Sequence, residues 1–326
     1  MVKLYIYKLF YLLQNPSSNL KKLSSHIMND NILKEISLQN KYKDKIRKTF
    51  GYNIQNEKYK IENIAIEKEK SIFRVKISTI HSFNYINSKV KTKSSERLYF
   101  ILILKKVNRL WTILDMCNKD MFPSTYDKLS KRYLFHNIKE CLDLDYRLNF
   151  LEKQLSSLNS FLIDYKRIIM TSNAPILFRG GIYNAKLASE YAQKHALNYN
   201  TKYKNFDNSG GDCTNFVSQC LHAGHIPITN SWRPYSTSWI RVIELYNYLI
   251  KNDIGVDITS KHPYKEGDII QFYANNKGYF SHSGVITKAL GYGEYLYCCH
   301  SYDKLNFPLS EIFPFIYDKI RVIQPK

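Results

Sequence analysis

Two glycines, an aspartate, a cysteine and then an apolar-rich run restrict this chain more than any other segment. The run reads Gly210-Gly211-Asp212-Cys213-Thr214-Asn215-Phe216-Val217-Ser218-Gln219-Cys220-Leu221. The glycines supply a turn that other residues adopt with difficulty. Asp212 is a natural N-cap, so the sequence predicts a helix whose first residue is Cys213. Phe216, Val217, Cys220 and Leu221 fall at i, i+1, i+4 and i+5, which makes one buried stripe. Cys213 lies one turn before that stripe, at the open end of the helix. There the dipole and the free backbone N–H groups favour a thiolate, and the same N–H groups can hold an oxyanion. The carboxylate of Asp212 acts in the opposite sense and raises the thiol pKa. A buried free cysteine is also an ordinary small apolar side chain, so a nucleophile at Cys213 needs a base.

Two histidines downstream offer one. His282 stands in Ser281-His282-Ser283-Gly284-Val285-Ile286-Thr287, a strand-like run after the loop Ala274-Asn275-Asn276-Lys277-Gly278. Gly284 in that run lets a neighbouring backbone approach. The strand Glu294 to His300 places Leu296, Cys298 and His300 on one face by alternation. His282 would take the thiol proton and return it to a leaving amine, and His300 would hold the His282 ring in the right tautomer. Asp303 is the other candidate for that orienting role. No metal or other cofactor is expected. The contiguous Cys298-Cys299-His300 and the pair His222 and His225 lack the separated-pair spacing of a structural zinc site, and adjacent strand residues point to opposite faces.

Four segments in order carry a likeness to a known family: Asp212 to Gln219, Gly267-Asp268-Ile269-Ile270-Gln271-Phe272, His282 to Thr287, and His300-Ser301-Tyr302-Asp303. Together they resemble the putative bacterial amidase domain of the papain-like superfamily, which is related to the NlpC-type and CHAP-type cell-wall hydrolases. Upstream, Tyr183-Asn184-Ala185 and Tyr199-Asn200 to Tyr203 look like that domain's first helix and loop. The resemblance covers about residues 180–326. It implies a cysteine nucleophile, a histidine base and a polar third residue acting on amide bonds; by position these are Cys213, His282 and His300. Gln219 is a further candidate, for the oxyanion hole, although it lies on the next helical turn. Trp232, Tyr235 and Trp239 follow the nucleophile helix and can either line a cleft or fill the core.

The chain carries 48 Lys and Arg against 28 Asp and Glu, a net charge of +20. From residue 180 onward the balance is 15 to 12, so residues 1–179 hold +17 of it. Such a field favours anionic polymers, yet no arginine-rich motif or aromatic stacking signature accompanies it. This front part reads as a folded region. A helix is expected at Asn31 to Phe50, on an apolar side of Ile32, Ile36, Tyr42 and Ile46. Strands are expected at Tyr59 to Ile66, Ser71 to Tyr85, Arg97 to Lys106 and Leu110 to Leu114, with a hairpin turn at Asn108-Arg109. The clean alternation in Phe73-Arg74-Val75-Lys76-Ile77-Ser78 predicts a half-exposed antiparallel sheet. A helix followed by a meander is similar to the small cystatin-like α+β domains. Next comes a ladder of apolar residues spaced alternately by three and four: Cys141, Leu144, Leu148, Leu151, Leu155, Leu158, Leu162, Tyr165 and Ile169. It predicts a long helix that pairs with a second copy or packs within the chain. Cys117 and Cys141 are expected to pack as small hydrophobes. Pro175 and Gly180-Gly181 close the segment.

The sequence therefore predicts an α+β chain in three parts: a basic α+β domain at 1–120, a helical connector at 121–178 and a papain-like domain at 179–326. The expected activity is cysteine-dependent hydrolysis of amide or peptide bonds, with peptidoglycan stem peptide as the substrate the resemblance implies. Acyl transfer on the same scaffold and a non-catalytic protein that binds anionic polymers through residues 1–179 are the alternatives. Met1 to Gln14 shows neither a long apolar core nor a small-residue cleavage site, and the unpatterned cysteines do not argue for an oxidising compartment. Cytoplasmic placement is the default expectation, with action at the cell wall left open.

Overall fold

The computed structural model describes residues 5–9, 12, 22–108, 110–131, 142–171, 181–291 and 293–326, with the side chains of 168–171 left out. Cys141, Pro175, Gly180, Arg109, the side chain of Ile169 and most of Met1 to Gln14 lie outside the described residues. The chain is α+β and divides into two compact units. The first takes Met1–Thr49, Glu57–His81 and Arg97–Ser160; the second takes Phe50–Asn56, Ser82–Glu96 and Phe161–Lys326.

Helix α1 (Asp30–Phe50), mostly in the first unit, precedes strands β1 (Asn53–Glu69), β2 (Ile72–Ile86), β3 (Lys91–Val107) and β4 (Leu110–Asn118), which neighbour one another in that order; the ends of β1, β2 and β3 that include Asn53–Asn56, Ser82–Ile86 and Lys91–Glu96 belong to the second unit. Strands β1, β3 and β4 run further than the sequence pattern predicts, while β2 is within one residue of it. Charged residues at solvent-facing positions do not interrupt a ladder held by backbone bonds, so Lys58, Lys60 and Lys68 stay within β1. In β2 the alternation is regular, with Val75, Ile77, Thr79, His81, Phe83 and Tyr85 all buried. Ile32 and Ile36 of α1 join Val75, Ile77, Leu102, Leu104 and Ile113 in the core. Helix α2 (Pro123–Ser130) begins with its proline in the first turn, where the missing N–H costs nothing. The ladder forms helix α3 (Leu144–Thr171). Leu144, Leu148, Leu151, Leu158, Leu162 and Tyr165 are buried within the chain, so the stripe packs internally. Arg147, on the flank of the ladder, is fully buried. Its Nη2 donates to Asp115 Oδ1 at 2.7 Å, and its Nε lies 3.2 Å from Glu35 Oε2.

The second unit holds helices α4 (Ala185–His195), α5 (Cys213–Ala223), α6 (Thr237–Ile240) and α7 (Val242–Lys251). Its strands are β5 (Gly255–Asp257), β6 (Ile269–Ala274), β7 (Tyr279–Gly291), β8 (Glu294–Cys299), β9 (Lys304–Pro308) and β10 (Ile320–Pro325). They pair antiparallel in the order β9-β8-β7-β6-β10-β5. Phe216, Val217, Cys220 and Leu221 share a core with Leu245 of α7, Ile269, Val285, Cys298 and Ile323. The stripe is as expected, but the polar face is buried as well: every residue from Cys213 to Leu221 is buried. A helix apolar on one face and polar on the other can sit this deep only when its polar residues find partners. Asn215 Nδ2 donates to Lys204 O, and Asn215 Oδ1 accepts from Trp239 Nε1 at 2.8 Å. Ser218 Oγ donates to Trp239 O and accepts from Trp232 Nε1. Both tryptophans are therefore core residues, 0% exposed, while Tyr235 is 43% exposed.

Candidate active site

Gly210 and Gly211 have φ of +109° and +108°, a conformation that glycine alone adopts readily, and they swing the chain into α5 at Cys213. Asp212 stands at the N-cap position as expected, but its carboxylate makes no capping bond to the helix. It is spent elsewhere. Oδ1 accepts from Phe206 N at 3.0 Å and from Asn215 Nδ2 at 2.8 Å, and Oδ2 lies 2.6 Å from His300 Nδ1. The backbone N–H of Asp212 donates to Ser301 Oγ, which in turn donates to Asp207 Oδ1 at 2.7 Å.

Cys213 is 7% exposed. Its sulfur lies 3.8 Å from Thr214 Oγ1. Burial raises the thiol pKa, the polar groups of Thr214 and Ser283 offset part of the rise, and the neighbouring Asp212 carboxylate adds to it. A contact of 3.4 Å between Thr214 Oγ1 and Ser283 Oγ ties the start of α5 to β7.

His282 precedes Ser283 on β7, where it pairs in register with Phe272 of β6. The ring packs beside Phe272, Tyr302 and Tyr317, with centroids 5.5, 5.6 and 6.0 Å away. Burial lowers its pKa from 6.5 to about 3, helped by the positive charges of Lys304 and Lys277. The imidazole is thus neutral across the physiological range, the form in which it can accept a proton. Lys304 is itself buried, its Nζ donating to Glu96 Oε2 at 2.6 Å. Gly284 has the role expected of it: a Cβ there would stand 2.8 Å from Cys298 O and 2.9 Å from Tyr297 Cδ2.

His300 is placed differently from expectation. Its Nδ1 meets Asp212, its Nε2 donates to His195 O at 2.9 Å at the end of α4, and neither nitrogen is left for His282. The ring is stacked between Tyr199 and Phe216, at centroid distances of 3.7 and 4.0 Å. Asp303 Oδ1 accepts from Tyr199 OH at 2.8 Å and from Ser301 N. Burial, with Asp303 and Asp207 nearby, pushes the Tyr199 phenol well up, so it remains a donor. Gln219 Oε1 accepts from Tyr191 OH at 2.8 Å and so belongs to the packing between α4 and α5. The fold therefore gathers Cys213 with the His282 strand, and Asp212 with His300, as two adjoining sets. Tyr199, Asp207, Ser301 and Lys304 belong to these sets; Tyr199 and Ser301 lie in segments that carry the family likeness without being singled out by it, and Asp207 and Lys304 carry no motif. Among the described residues no group of three or more His, Cys, Asp or Glu is arranged to hold a metal ion, and no helix is long and apolar enough to cross a membrane.

Residues 182–322 match the model of a family described as a putative amidase domain. YjcM of Bacillus subtilis (strain 168), an uncharacterized protein, is 33% identical over 137 residues, which are 39% of this chain and 32% of that protein. YhbB of the same organism, also uncharacterized, is 32% identical over 118 residues, 32% of this chain and 37% of its own length. The chain thus spans about a third of the length of the curated relatives it matches. No solved structure matches. The family match supports amide hydrolysis as the class of chemistry for this region.

Proposed function

We propose that residues 182–322 form a papain-like cysteine amidase or peptidase with Cys213 as nucleophile and His282 as base. The observation that carries this is Cys213 at the start of a buried helix, whose next residue, Thr214, touches Ser283, the residue after a neutral, buried histidine. The Cys213 thiol turns from the Thr214 hydroxyl toward the His282 imidazole and gives up its proton. The thiolate attacks the carbonyl carbon, and the free backbone N–H groups at the start of α5 face the developing oxyanion. His282 then protonates the leaving amine, the C–N bond breaks, and a thioester remains. Water, deprotonated by His282, adds to the thioester and releases the acid and the thiol. Because burial holds the imidazole neutral and the thiol protonated, the resting pair is uncharged, and charge separates only when substrate arrives.

Peptidoglycan stem peptides are the first substrates to test, on the likeness to wall hydrolases drawn from the motifs. The experiment incubates the full chain with such peptides and follows new free amines. Wild type is expected to release them, and Cys213→Ala and His282→Ala to reduce release at least about a thousandfold. Release by Cys213→Ala at the wild-type rate would overturn the assignment.

A further inference from the structure

The polar set built on His300 does not serve His282, and its geometry has its own logic. His300 Nε2 faces a carbonyl and Nδ1 faces the Asp212 carboxyl, so with Asp212 ionised both ring partners are acceptors. An imidazole satisfies two acceptors only by donating from both nitrogens, which is the imidazolium form. The surroundings suit that cation. Two aromatic faces cover the ring at 3.7 and 4.0 Å, and aromatic faces attract cations. The carbonyl it meets belongs to the last residue of α4, the negative end of that helix. Asp212, in turn, is bound on every side: His300 on one oxygen, Phe206 N and Asn215 on the other, and Ser301 on its backbone N–H. Asp212 and His300 are both about 1% exposed, so neither charge has water to turn to.

We propose that Asp212 and His300 act as a positioning ion pair that locks the turn before Cys213 and cancels the charge of the carboxylate beside the sulfur. The inference rests on Cys213 being the nucleophile. A carboxylate one residue from a thiol disfavours the thiolate. Pairing it with His300 neutralises that effect while keeping the four hydrogen bonds that fix the start of α5. The other groups electrostatically coupled to the sulfur are Cys299, Thr214 and Ser283; they do not change between the variants below. His300 acts through Asp212 on the nucleophile, and not through His282 on the base.

The test measures the pH dependence of iodoacetamide labelling at Cys213 in the full chain, mapped by mass spectrometry, for His300→Gln, Asp212→Asn and the double variant, each also in a His282→Ala background. His300→Gln leaves the carboxylate uncompensated, so labelling near neutral pH is expected to fall about tenfold, equivalent to a thiol pKa raised by one unit. The double variant replaces the ion pair with two amides of no net charge and is expected to recover to within about threefold of wild type. Both effects should persist without His282. Three results overturn the proposal: no change in His300→Gln, a double variant as slow as the single, or an effect that disappears in the His282→Ala background, which would make His300 an orienter of His282. A wild-type Cys213 that labels no faster than Cys117, Cys220, Cys298 and Cys299 would instead sink the nucleophile reading. The ion pair would still be readable in that event, and also if a variant failed to fold. The wild-type proton NMR spectrum should show both ring N–H protons of His300 shifted downfield and protected from exchange, and a ring with only one such proton refutes the pair.

Discussion

Replacing His282 with glutamine removes one titrating group from the interior, and the stability curve against pH should record its loss. His282 has an ordinary pKa of 6.5 in an unfolded chain and about 3 in the fold, where Phe272, Tyr302 and Tyr317 exclude water and Lys304 and Lys277 repel a proton. The depressed value fixes the sign. Below 6.5 the unfolded chain gains a proton that the folded protein refuses, so stability present above 6.5 drains away as pH falls and is gone below about 3. Between pH 7 and pH 4 the integrated linkage is about 3 kcal/mol, at 1.36 kcal/mol per unit. Other carboxylates titrate over the same range, so the informative quantity is the difference between wild type and His282→Gln. Urea unfolding at pH 7, 6, 5 and 4 should show wild type losing about 3 kcal/mol more than the variant. Two parallel curves would refute the claim that His282 is buried and neutral, and would remove the basis for its role as the base.

Three further outcomes follow from the packing. Gly284→Ala pushes a methyl group into Cys298 O and Tyr297 between β7 and β8; overpacking of this kind costs about 1–3 kcal/mol, and a thermal melt should fall by several degrees, with Cys213 labelling altered at the same time. Lys304→Met leaves Glu96 buried without its cation, which is expected to cost about 3–5 kcal/mol in urea unfolding; it also removes a repelling charge, so the NMR titration of His282 should shift upward. Arg147→Met strands Asp115 and Glu35 in the core of the first unit, again at about 3–5 kcal/mol; because the burial-raised Glu35, near 7, gains from becoming neutral, the loss should be smaller at pH 5 than at pH 8.

Much of the second unit is legible in sequence because it depends on neighbours along the chain. The paired glycines, the helix that begins at Cys213, the stripe from Phe216 to Leu221 and the tight strand crossing at Gly284 are all set by local conformational preference and short-range periodicity. The front strands are also read correctly in kind, though β1, β3 and β4 are read too short, since side-chain polarity marks faces better than ends. The partner of Asp212 is another matter. Its place before a helix makes it an N-cap by pattern, but the fold brings His300, 88 positions away, to its carboxylate and turns that side chain from the helix. The same holds for Lys304 and Glu96, separated by 208 positions: nothing local marks a lysine as buried.

What the sequence by itself determined is therefore where the candidate groups stand: a cysteine at a helix start and a histidine on a strand, each placed by local rules. Only the tertiary structure decided which charged group faces which, because burial and pairing depend on strands brought together from distant parts of the chain. Asp212 meets His300 across 88 positions, while His282 stays uncharged because a pocket of aromatic rings with a lysine beside it does not suit a cation.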